Sequence, residues 1–149
     1  MPLPFVVIRS QSFANLSSHA VKLLCDLLAQ YRGDNNGDLE LTWRTMHKRG
    51  WASRVTLQKA RQELHDGEWI VVSRQGGRHQ PSLYAVTFFS IDECGGKLDI
   101  RPTGSPSGLW RKNEPAPPPL TLKVVSRQPC QLGQIQHAGR VNERVANAY

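Results

Sequence analysis

The sequence predicts an α+β fold in which three helices precede a β-hairpin and a proline-rich C-terminal extension follows. Three observations carry this prediction. Apolar residues between Ser17 and Tyr31 recur at helical spacing, the segment Gly50–Ser53 separates two helical stretches by a very tight turn, and two apolar segments flank a glycine-rich turn at Gln75–Pro81. The 149 residues suffice for one domain with a hydrophobic core plus a tail.

In the first helix Ser17 or Ser18 supplies the N-cap, and Ala20, Leu23, Leu24, Leu27, Leu28 and Tyr31 follow on one face. The turn formers Gly33-Asp34-Asn35-Asn36-Gly37-Asp38 end it, and Leu39-Glu40-Leu41 alternates as a very short strand would. Thr42 caps a second helix over Trp43–Lys48, which Gly50 stops by accepting a left-handed backbone. Ser53 caps the third helix, from about Arg54 to Asp66, with Leu57, Ala60 and Leu64 facing the core. Trp69–Arg74 and Leu83–Phe88 read as the hairpin strands, and Ile91–Leu98 as a short turn or helix broken by Gly95-Gly96. These elements define a domain over residues 1–100. Pro102, Pro106, Pro115 and Pro117–Pro119, mixed with Gly and Ser, mark 101–120 as a linker or arm, and 121–149 as a basic, partly disordered tail.

The net charge of +7 favours a polyanionic partner, because Lys and Arg that neutralise phosphates release condensed counterions. From Arg44 to His79 eight basic residues (Arg44, Lys48, Arg49, Arg54, Lys59, Arg61, Arg74, Arg78) face three acids (Glu63, Asp66, Glu68), a local excess of +5. On the third helix Arg54, Gln58, Arg61 and His65 fall in a stripe roughly 60° wide, about 95° from the core residues. One face packs and the adjacent face can read.

The order helix, short strand, helix, tight turn, helix, hairpin resembles winged helix-turn-helix DNA-binding proteins from about Ser17 to Phe89. The runs Asn36-Gly37-Asp38-Leu39, Lys48-Arg49-Gly50-Trp51, Thr56-Leu57-Gln58-Lys59-Ala60 and Gln75-Gly76-Gly77-Arg78 are similar to small members carried by bacterial phages, plasmids and integrated elements. The resemblance implies double-stranded DNA as partner, with the third helix in the major groove and the hairpin as a basic wing. Arg54 and Arg61 would then face guanine and Gln58 adenine. Ser53, Thr56, Lys59 and Gln62 would touch phosphates, and Arg74, Arg78 and His79 would enter a minor groove. The role would be that of a transcriptional regulator or a mobile-element replication or maintenance factor, and a homodimer would suit palindromic sites.

Trp43, Trp51 and Trp69 border elements that must pack, so burial is expected. Trp110, among prolines, is expected outside that core, anchoring the arm with Arg111 and Lys112 on the domain or on a partner. This supports a rival reading, a protein-interaction subunit of a larger nucleic-acid-processing assembly whose partner orders the arm and tail. A third reading is nonspecific binding through the basic tail.

No HExxH pair, phosphate loop, GxSxG elbow or paired CxxC occurs, so neither enzymatic activity nor a metal or cofactor is expected. Asp92, Glu93 and Asp99 read as surface charge. The three cysteines (Cys25, Cys94, Cys130) stand far apart and read as reduced thiols. With no stretch of roughly 20 apolar residues and no basic, cleavable start, a cytoplasmic protein is expected.

Overall fold

The computed structural model describes residues 3–114. Among them the order is α1 (Phe5–Ile8), α2 (Gln11–Ala14), α3 (Ser18–Leu28), β1 (Leu39–Glu40), α4 (Trp43–Lys48), α5 (Arg54–Asp66), β2 (Ile70–Arg74) and β3 (Leu83–Val86), with 3-10 turns at Cys94–Gly96 and Leu109–Asn113. The caps read from the sequence are formed: the hydroxyls of Ser17, Thr42 and Ser53 accept from Ala20 N, Thr45 N and Thr56 N. Gly50, at φ +84°, ends α4 in the left-handed conformation that a Cβ would disfavour.

The three strands form an antiparallel sheet in the order β1-β3-β2, so β3 is central. Leu39 pairs with Tyr84, and Ile70 with Val86. All four residues of β3 are buried, where alternation would leave half exposed. Tyr84 and Val86 join the core made by Leu23, Leu24 and Leu27 of α3, Leu57 and Leu64 of α5, and Trp69. A bulge at Ser73 interrupts the β2–β3 register. The buried Ser73 donates its hydroxyl to Gly37 O, and its carbonyl accepts from Asp99 N (2.8 Å), so both groups are satisfied outside the ladder.

Two features depart from the sequence reading. The short apolar entry is two single-turn helices, the second capped by Ser10, and Val7 is fully buried. The expected linker or arm is tied back to the domain: residues 101–107 are exposed, but Thr103 N donates to Ile91 O (2.9 Å) and Gly108 N to Thr87 O (2.9 Å), and a compact unit runs from Met1 to Ala116. Trp110 is 2% exposed and stacks on Trp69 at 5.2 Å between ring centroids. The expectation that it lies outside the core is therefore corrected: of the two anchoring alternatives it takes the domain, and the indole completes the protein's own core. Glu114 closes this strap by accepting from the backbone N–H groups of Gln11 and Ser12 at the start of α2. The expected tail at 121–149, with Cys130, lies outside the described residues.

Among the described residues no helix is long and apolar enough to cross a membrane, and no group of three or more His, Cys, Asp or Glu is placed to hold a metal ion. Cys25 and Cys94 are free thiols.

Candidate nucleic-acid interface

The turn between α4 and α5 is fixed from α3. Asp26, 6% exposed, accepts from Lys22 Nζ (2.8 Å), Arg49 Nε (2.8 Å) and Trp51 Nε1 (2.7 Å). Burial alone would raise its pKa. The hydrogen bonds from Lys22, Trp51 and Arg49, with the Lys22 charge, outweigh that and hold the carboxyl below the ordinary aspartate range. Lys22 also donates to Arg49 O (3.0 Å) and lies over the Trp51 ring at 4.8 Å. This cluster ties down the two residues on either side of Gly50, and so the direction in which α5 leaves.

Within α5 the expected stripe divides. Gln58 and His65 are exposed, and Arg54 is exposed with its guanidinium over Trp43, 5.0 Å from the ring centroid. Trp43, itself half-buried and stacked on His47, thus links α4 to α5. Arg61 departs from expectation: it is half-buried, its Nη1 donates to Tyr84 Oη (2.9 Å), and its Nε is buried with no partner. The cause is angular. Arg61 stands only about 40° from Leu57 around the helix, at the border of the apolar face, so its stem lies along the core and its head meets β3. A free bidentate approach to guanine is not the geometry observed.

Around the rest of α5, Ser53 is exposed and caps the helix, Thr56 is half-buried, and Lys59 is exposed. Gln62 is exposed but turned onto Asp66 (2.7 Å). Ser53 and Thr56 line a groove of about 230 Å³ with His19, Lys22 and Trp51. Sequence reasoning did not select His19 and Lys22, because they belong to a helix 30 residues and more away from the α5 N-terminus in the chain.

The hairpin tip is a two-residue turn. Gly77 N donates to Gln80 O (2.9 Å), leaving Arg78 and His79 at the corner, both exposed. The paired glycines do not make the turn, as neither has a positive φ. At Gly76 the reason for glycine is close approach: a Cβ there would lie 2.5 Å from Ser82 N and 2.9 Å from Gln80 O. Arg74 is the second correction. It is half-buried, its Nη2 donates across the hairpin to Pro81 O (3.2 Å), and its Nε is buried without a partner. It braces the wing's base instead of projecting from the tip.

Helix and hairpin share an open cleft. Gln58 and Arg61 of α5 share a cleft of about 180 Å³ with Pro81, Ser82 and Tyr84 of the returning hairpin and Leu41-Thr42 before α4. The acids of the Arg44–His79 segment are engaged. Glu63 is used by the α3 cap, accepting from Ser17 N (2.7 Å) and Ser17 Oγ (2.6 Å), and Asp66 holds Gln62. Glu68 pairs with Lys112 (2.8 Å), which with the exposed Arg111 belongs to the strap. Among the described residues Arg44, Lys48, Arg54, Lys59 and Arg78 are exposed and have no acidic partner.

No family model, curated protein or solved structure matches this chain.

Proposed function

We propose that this chain is a winged helix-turn-helix protein that binds double-stranded DNA, with α5 entering the major groove and the Arg78–His79 turn contacting the flanking backbone or minor groove. The observation that carries the reading is the shared cleft of α5 and the hairpin, together with the exposed Arg44, Lys48, Arg54, Lys59 and Arg78, which have no acidic partner among the described residues. The helix order and the β1-β3-β2 sheet suit that layout. A groove about 12 Å wide admits one helix, and unpaired cations beside it supply the sequence-independent part of the affinity. In this reading Gln58 and Arg54 face bases, Lys59, Ser53 and Arg78 contact phosphates, and Arg61 and Arg74 brace the reading surface. A regulator of transcription, or a replication or maintenance factor of a mobile element, would use such a surface.

Arg54 and Lys59 provide the test, since both are exposed and neither belongs to the core. Fluorescence anisotropy with random-sequence 20-bp duplexes at two salt concentrations should show binding that weakens with salt. Arg54→Ala with Lys59→Ala should lower affinity at least tenfold and reduce the log–log salt slope by about 1 to 2. Equal affinity of wild type and variant at both concentrations would refute the proposal. The rival reading, an interaction subunit that recruits a larger assembly through the winged helix surface or the arm, predicts instead that Arg54→Ala with Lys59→Ala spares partner binding; Trp110, buried against Trp69, is not the exposed contact in that reading.

A further inference from the structure

Val55 is 65% exposed on α5, where the other exposed positions carry polar or charged side chains. At about 100° per residue it points roughly opposite to the direction of Leu57, Ala60 and Leu64. Core packing therefore does not explain it. Neither does helix formation, for which a β-branched residue is inferior to Ala or Leu.

Gln58 and Lys59 follow Val55 at i+3 and i+4 and lie beside it on the same face. Of the other polar side chains on α5, Arg61 is engaged with Tyr84 and Gln62 with Asp66, whereas Gln58, like Lys59, has no hydrogen-bond partner among the described residues. A free carboxamide beside an uncovered pair of methyl groups is an unusual combination on a cationic face. Its chemical complement is an A·T pair seen from the major groove. Adenine offers an acceptor at N7 and a donor at N6, and thymine offers an apolar methyl on C5. Neither guanine nor cytosine carries that methyl.

We infer that Val55 and Gln58 form an A·T-selective pair on α5, Val55 covering a thymine C5 methyl and Gln58 bonding an adenine at the same or an adjacent step. This rests on the DNA-binding reading above and names the bases that surface prefers. Arg54, drawn toward Trp43, flanks the pair without occupying it.

The test uses the full chain and duplexes enriched by it from a pool of 20-bp DNA with a randomised centre. The enriched sequences should contain an A·T pair at a fixed position. Replacing thymine by deoxyuridine at that position, which deletes only the methyl, should weaken wild-type binding about fourfold, the value of one buried methyl group. Val55→Ala should bind both duplexes equally, and Val55→Thr, which keeps one methyl, should restore part of the difference. Gln58→Ala should flatten the adenine preference. Val55 is exposed, so these variants fold as the parent does. Tight, sequence-selective binding that ignores the deoxyuridine exchange, or that shows no A·T preference, would overturn this inference and leave the DNA-binding reading standing. Absence of duplex binding altogether would overturn both.

Discussion

Two buried polar residues organise the fold, Asp26 at the turn before α5 and Asn36 at the end of β3, and each makes a prediction of its own. Asp26→Ala removes the acceptor of three donors. Lys22 and Arg49 keep side-chain exposures of 43% and 38%, so they can rehydrate, and the main loss is the buried Trp51 Nε1 left unpaired. About 2 kcal/mol of destabilisation is expected in urea unfolding. Because the folded-state pKa of Asp26 lies below the unfolded one, its stabilisation is complete above the ordinary carboxylate range near pH 4 and is lost as pH falls through the lower folded value. Asp26→Asn should accordingly flatten part of the fall in melting temperature between pH 5 and pH 2, and parallel curves for the two proteins would contradict this. Asn36 is fully buried, accepts from Val86 N (2.8 Å) and donates to Val86 O (3.0 Å) and Ser90 O (2.8 Å). It continues the sheet where β1 has not yet begun. Asn36→Leu should cost about 3 kcal/mol or more, through orphaned backbone groups at the end of β3.

Among the elements, α5 and the hairpin share the cleft but depend on different supports. The helix is held by its apolar stripe and by the Arg61–Tyr84 bond, whereas the loop is held by backbone contact at Gly76. Gly76→Ala should push Ser82 away, cost about 1 to 3 kcal/mol and weaken duplex binding together with stability. Arg78→Ala, at the exposed corner, should leave the melting temperature unchanged and still reduce affinity. A Gly76→Ala protein of unaltered stability would show that the two hairpin arms do not approach as closely as described. Helices α3, α4 and α5, their caps and Gly50 were legible in the sequence, because each depends on residues within four positions; the single turns α1 and α2 were too short to show a period. The bulge at Ser73 and the bracing of the hairpin arms were not, since they depend on Gly37, Asp99 and Ser82, between 6 and 36 positions away.

For the molecule as a whole, the decisive feature is the strap of residues 101–114. Trp110→Ala would remove a large ring stacked on Trp69 and should cost about 3 to 5 kcal/mol, measured by denaturant unfolding. A chain ended at Ala116 keeps the strap, whereas one ended at Leu98 loses it and should lose most of its stability, although the sequence alone places both cuts outside the main core. Salt dependence belongs to this scale too. If the +7 net charge acts mainly through residues beyond 116, the shortened chain would lose most of its salt slope, and if α5 and the hairpin dominate, it would keep it.

The sequence by itself determined α3, α4 and α5, the hairpin, and the concentration of positive charge between Arg44 and His79, because periodicity, capping and charge are written in neighbouring residues. Only the tertiary structure decided that Arg61 and Arg74 turn back to brace the fold, that Val55 stays uncovered, and that Trp110 lies in the core. Each of these depends on which distant surface a side chain meets. That surface exists only once strand order, bulge and strap have brought Tyr84, Pro81 and Trp69 into place.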